Sequence, residues 1–163
     1  MRNDVRRVLT RELEALAREV ELFPDDDVLW KTVPGVTNSA GNLALHACGN
    51  LNHFVGAVLG GTGYVRDRPA EFATRTGRRA DVARQIRETA AVLTNALARV
   101  PESALAAPYP EPHDGVQLSC GLFLLHLCVH LAFHLGQAGT LRRALTGDAR
   151  TSGAVSLAAL ADR

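Results

Sequence analysis

Three histidines, His126, His130 and His134, recur at every fourth position of one apolar stretch. At about 100° per residue they turn through only about 80°, so on a helix they share a face. Two imidazoles at i and i+4 can reach one divalent ion, whereas the outer pair is separated by about 12 Å of rise and cannot share an ion directly. One ion therefore takes two of the three, and a third ligand must come from another helix. His46 is the best candidate, because it lies at the edge of an apolar stripe formed by Leu43, Ala47, Leu51, Phe54 and Val58. His53 falls two turns later and further round toward solvent. The segment HLAFH has no glutamate after its first histidine, so it is not the HExxH site of a metalloprotease and brings no general base with it. The competing reading is a set of buried neutral imidazoles satisfied by hydrogen bonds. Three of them in an otherwise uncharged helix favour an ion, since each buried imidazole needs a partner and one ion serves several. His126 reads instead as a hydrogen-bonded core or cavity residue, and His113, in a proline-rich linker, as solvated.

Other positions near these histidines admit two readings each. Gln137 follows His134 by three residues on the same face, where it can orient a bound water or ligand, or act only as a helix-packing amide. Asn50, one turn after His46, can support the site or simply pair with backbone. Arg66, Asp67, Arg68 and Glu71 can receive an anionic substrate at a pocket mouth; structural ion pairing that holds their loop is the favoured reading. Cys48 and Cys128 lie beside the histidines, yet their spacing recruits neither as a ligand, and small buried thiols are common in cores.

Helices must carry these groups. Val5, Leu9, Leu13, Leu16 and Val20 mark a first helix over about 3–22 that ends before Pro24. Thr37, Asn38 and Ser39 are N-cap residues for a second, which bears His46 and Asn50 and stops at Gly60-Gly61. A loop over 61–77 contains RDRPAEF. A third helix, about 78–99, shows Val82, Ile86, Leu93 and Leu97 before Pro101. After a Pro- and Ala-rich linker over 101–115, a fourth runs from about 117 to 145, and 151–163 adds at most a short turn or helix. There is no strand pattern and no repeat. Four such helices fit an all-α four-helix bundle, in which cofactor sites are built from side chains on facing helices. The 17 loop residues at 61–77 are enough to span the bundle, so helices two and three can run parallel or antiparallel.

A chain of 163 residues suits a single domain over 1–163, large enough to bury about 70% of its unfolded surface without disulfides. Eighteen basic and 17 acidic residues are interspersed, for a net charge of +1, which leaves no electrostatic footprint for nucleic acid or an anionic membrane. Cys48, Cys120 and Cys128 are odd in number and form no CxxC pair, as expected of a reducing cytoplasm. The N-terminus lacks the apolar stretch of a signal peptide. Leu118 to Leu135 approaches the length of a membrane span, but three histidines at its centre are costly in lipid. It reads as a central bundle helix whose surplus apolar surface meets a second copy in a homodimer.

The segments NSAGNLALHACGNLNHFVGAVLGG at 38–61, RDRPAEF at 66–72 and LLHLCVHLAFHLGQAGTLRRAL at 124–145, taken with the helix pattern, resemble the DinB/YfiT-like superfamily. The resemblance implies a bundle in up-down-down-up order, often dimeric, with a metal held by one histidine of helix two and two of the last helix. These are His46, His130 and His134 in this sequence, with zinc, nickel or another divalent ion as the metal. It also implies a thiol-dependent transferase that activates a low-molecular-weight thiol against a small-molecule substrate. Three neutral imidazoles leave an open coordination position, which suits that reaction. The same position suits a hydrolase that activates water, or a metal or small-ligand binding stress protein without turnover.

Overall fold

The computed structural model describes residues 1–113 and 115–161, and Asp114, Asp162 and Arg163 lie outside the described residues. Among the described residues six α-helices form: α1 (Arg2–Glu21), α2 (Asp26–Leu29), α3 (Ala40–Leu51), α4 (Arg68–Ala73), α5 (Arg79–Arg99) and α6 (Cys120–Thr146). α3 continues without a break as a π-helical stretch, Asn52–Leu59, and 3₁₀ turns occupy Glu102–Ala106 and Ala158–Leu160. Among the described residues there is no β-strand, only isolated bridges at Pro108 with Ser119 and His113 with Val116.

The four long helices follow the apolar periodicities. Leu9, Leu13, Leu16 and Val20 of α1, Ile86, Leu93 and Leu97 of α5, and Leu124 and Leu131 of α6 are all buried in one cluster. Side-chain contacts give the helix directions. Arg2 of α1 donates to the Val100 carbonyl at 2.6 Å while Arg87 of α5 pairs with Glu21 at 2.7 Å, so α1 and α5 are antiparallel. Asn52 donates to Thr89 Oγ1 and Arg99 donates to the Gly60 carbonyl, each at 2.9 Å, so the extended α3 and α5 are parallel. His46 faces His130 and His134 while Phe54 faces Phe123, so α3 and α6 are antiparallel. In chain order α1, α3, α5 and α6 therefore run up, down, down, up.

Local chemistry sets the helix ends. Ser39 caps α3, its hydroxyl accepting from the Asn42 N–H at 3.1 Å, and Asn42 closes the reciprocal bond to the Ser39 N–H. The Asn42 amide then donates to the Glu71 and Thr74 carbonyls at 2.9 and 2.8 Å, which ties α4 to the start of α3. The RDRPAEF segment is thus not a plain loop. Asp67 caps a short helix whose second residue, Pro69, needs no N–H partner. α6 starts three residues later than its apolar pattern suggests. Residues 117–119 are drawn instead to the preceding linker, where Tyr109 N–H donates to the Leu118 carbonyl and Cys120 N–H to the Ala107 carbonyl. Ser119 then caps α6, and Gly147 ends it in the left-handed conformation, φ 68°.

By length and composition α6 is apolar enough to cross a membrane. One face packs on α1 and α3, and the opposite face exposes Leu122, Leu125, Val129 and Phe133. Near its C-terminal end the core holds Arg142, fully buried, ion-paired with the buried Glu19 of α1. Arg142 also donates to the Asp148 carbonyl at 3.0 Å, anchoring the segment after α6. Removing one partner of such a pair strands the other charge in the core. Arg142→Ala is expected to lower stability by about 3–5 kcal/mol in urea unfolding. The double change Glu19→Leu with Arg142→Met should recover most of that loss.

Candidate metal centre

The antiparallel crossing of α3 and α6 brings three imidazoles together. His46 Nε2 lies 3.3 Å from His130 Nε2, and His134 Nε2 lies 3.1 Å from the same atom. Ligand atoms of all three residues lie within 4.8 Å of one another. The helical i, i+4 spacing sets the His130–His134 pair, while the His46 contact depends on how α3 is rotated against α6.

The far edges of two rings are held. His46 Nδ1–H donates to Glu71 Oε2 at 2.9 Å, and His134 Nδ1–H donates to Gln137 Oε1 at 2.8 Å. The Glu71 carboxylate accepts only and Gln137 presents its amide oxygen, so the proton lies on Nδ1 and the Nε2 lone pairs face inward. Arg66 holds Glu71 in place, with Nε at 2.7 Å from Oε1 and Nη2 at 2.8 Å from Oε2. Arg66 Nη2 also lies 3.1 Å from His46 Nδ1, but both are donors converging on one carboxylate oxygen. Glu71 reaches α3 only because residue 49 is glycine: a Cβ there would overlap the carboxylate.

The residues fit a divalent ion. Tetrahedral ligands at about 2.0–2.1 Å from zinc lie about 3.3–3.4 Å apart, close to the His46–His130 and His130–His134 separations, and the three ligand atoms span no more than 4.8 Å. A carboxylate or amide on the remote ring nitrogen is the usual support of a metal-binding histidine. Burial pushes the pKa of all three below 6.5, with the neighbouring imidazoles adding to the effect on His130, which falls to about 4. The Glu71 contact opposes burial at His46, and Gln137 opposes it at His134. Neutral imidazole is the form that coordinates.

Two concavities flank the cluster. One, of about 420 Å³, is lined by His46 and His130 together with Phe54, Phe123, Leu127 and basic side chains. The other, of about 760 Å³, lies between the 33–38 segment and α6, bordered by His134 and Gln137 and otherwise largely apolar. The π-helical stretch places Phe54 in the first, and its carbonyl accepts from the buried Tyr109 hydroxyl at 2.6 Å. π-Turns inside helices often mark functional sites.

The remaining expected positions fall differently. His126 takes the cavity alternative of its reading: one turn before His130 it is exposed on the cavity wall, its ring stacked 6.0 Å from Phe123. His113 is exposed as well, but its ring packs 5.1 Å from Phe54 and lines the same cavity. His53 lies away from the cluster, 3.5 Å from Glu111. Asn50 is 8% exposed on the cavity wall, and its Oδ1 has no hydrogen-bond partner among the described residues. Arg66 and Glu71 form the structural ion pair favoured for their segment. Their link to His46 was missed by the sequence reading, and the glycine one turn after His46 is the signal that could have pointed to it. Burial raises the Cys48 and Cys128 thiols to about 12 and about 11, so both stay protonated at neutral pH.

A model of the DinB superfamily matches residues 8–138, most of the chain and all of its histidine cluster. No curated protein and no solved structure matches.

In the metal-free protein the unfolded chain takes up protons on these histidines near pH 6.5, while folded His130 resists until about pH 4. The unfolded state therefore binds more protons across that window, and stability falls as pH is lowered through it. An NMR titration of the imidazole resonances should show His130 titrating well below 6.5. A midpoint at or above 6.5 would contradict the buried, mutually repelling arrangement.

Proposed function

This chain belongs to the DinB superfamily, and from that premise we propose that His46, His130 and His134 hold one divalent metal ion in a thiol-dependent transferase. The observation that carries the reading is the convergence of three Nε2 atoms whose remote nitrogens are held by Glu71 and Gln137. Neutral nitrogen ligands suit zinc or nickel. When bound, the ion lowers the pKa of a coordinated thiol, so that a nucleophilic thiolate persists at neutral pH.

The chain's own residues do the rest. Glu71 and Gln137 keep the imidazoles oriented, and Phe54, Phe123 and Leu127 give the cavity an apolar wall that limits water. His126, exposed on that wall, accepts the thiol proton. A sulfur lone pair forms the new S–C bond, and the leaving group departs with the electrons of the bond that breaks. Hydrolysis by metal-bound water is the second reading: His126 would take a proton from water as it does from a thiol, so turnover of thiol or ester substrates separates the two. A cytoplasmic location goes with the transferase reading, since low-molecular-weight thiols are kept reduced there.

We also propose a homodimer through α6. From Cys120 to Leu141 that helix carries no charged residue, yet Leu122, Val129 and Phe133 are 53, 69 and 61% exposed. Antiparallel pairing about Val129 sets Leu122 of one copy over Gly136 of the other, where open space meets any side chain. Such large-over-small matching about a two-fold axis suits a second copy of the same surface.

Elemental analysis of the purified protein should find about one divalent ion per chain, lost in His46→Ala, His130→Ala or His134→Ala and kept in His53→Ala or His113→Ala. Glu71→Gln should weaken metal binding about 10–100-fold. The metal-loaded protein should accelerate conjugation of a small thiol to a model electrophile, and His130→Ala should not. Loaded protein with no acceleration would overturn the transferase reading and leave a binding protein. Sedimentation should show a dimer that Val129→Lys converts to a metal-binding monomer; a concentration-independent wild-type monomer would refute the α6 interface.

A further inference from the structure

The cavity beside the histidine cluster has a one-sided charge. Among the described residues its titratable lining consists of Arg66, Arg68, His113 and His126, with His46 and His130 on the floor, and includes no carboxylate. The acid nearest His46, Glu71, is committed to Arg66 and to the His46 ring. Arg66 is correspondingly neutralised, but Arg68 is not. It has no carboxylate partner among the described residues, and its guanidinium stands 5.2 Å from the centre of the Phe72 ring. Phe72 in turn packs 4.8 Å from the His46 ring, so an aromatic contact holds a free cation beside the floor of the cavity.

Phe54, Phe123 and Leu127 give the rest of the wall an apolar side, and Asn50 is its one neutral polar residue among those described. A cationic cleft with low-dielectric walls concentrates anions. Three neutral imidazoles leave the double charge of a divalent ion uncompensated, which adds to the same field. A cationic ligand is repelled here, and a neutral one gains only burial. A planar carboxylate matches the guanidinium fork with two parallel hydrogen bonds.

We propose that this cavity binds an organic carboxylate, with its charged end on Arg68 at the mouth and its hydrocarbon part against Phe54, Phe123 and Leu127. The proposal deepens the metal-and-thiol reading and rests on it: the carboxylate is the charged end of the molecule whose other end reaches the ion. Arg68 is the specificity-determining residue.

The test uses three thiols of equal length, 3-mercaptopropionate, 3-mercaptopropanol and 3-mercaptopropylamine, titrated into cobalt-loaded protein and followed by thiolate-to-cobalt absorption. The acid should bind at least about ten-fold more tightly than the alcohol, and the amine most weakly. Arg68→Ala should erase most of the acid's advantage while leaving the alcohol's affinity alone, and Arg68→Lys should restore part of it. Equal affinities for acid and alcohol, or an acid preference untouched by Arg68→Ala, would overturn the proposal with the metal reading intact. If cobalt does not load, or no thiol produces the absorption, the metal-and-thiol reading fails. The charge preference is then read on metal-free protein by calorimetry with 3-phenylpropionate and 3-phenylpropanol. A preference for the acid that Arg68→Ala removes supports the carboxylate site; equal or absent binding overturns it.

Discussion

Imidazole nitrogens of His46 and His134 that crowd the His130 Nε2 at 3.3 and 3.1 Å repel it unless a proton or a cation sits between them. The arrangement of α3, α4 and α6 imposes that condition. Glu71 and Gln137 hold the Nδ1 protons of His46 and His134 on the outer edges of the rings, so neither ring relieves the crowding by a change of tautomer at no cost. Only His130 can supply an inward proton, and a single N–H does not satisfy both neighbours well. A divalent ion satisfies all three at once, and burial keeps the imidazoles in the neutral form that such an ion needs.

The bundle geometry follows from that demand. α3 and α6 must run antiparallel for His46 to meet the His130–His134 pair while Phe54 meets Phe123. Parallel running of α3 and α5 requires a connection that travels the length of the bundle, and this connection carries α4 and therefore Glu71. Asn42 fastens it at the start of α3 through two carbonyls, and Gly49 opens the gap through which the carboxylate reaches His46. Topology, connection and metal-site support are in this sense one device. The buried Arg142–Glu19 pair at the other side of α6 is a separate structural element, joining α6 to α1 and to the segment that follows.

The two sides of the histidine cluster differ in chemistry. Toward α4 the cavity is basic and partly aromatic, whereas toward the 33–38 segment the larger groove is mostly apolar. A protein that joins a polar thiol to a less polar electrophile has use for both. The three cysteines play no part in such a reaction, since all are buried and burial raises each thiol.

Much of this was legible in the sequence because helical periodicity is a local property. The i, i+4 spacing of His130 and His134 places both on one face whatever the rest of the chain does, and the stripes of α1, α5 and α6 are the buried ones. Ser39, through its hydroxyl, and the Gly60-Gly61 pair punctuate the histidine-bearing helix by local chemistry alone. What local pattern does not determine is how one helix is rotated against another. That rotation turned His126 outward to the cavity wall, and it drew His113 against Phe54. It also made the start of α6 yield three residues to pairing with the linker. The contact of Glu71 with His46 spans 25 positions and requires a connection folded back along α3, so only the tertiary structure could decide it. Sequence alone determined which residues are able to bind an ion; the packing of antiparallel helices decided which of their nitrogens meet.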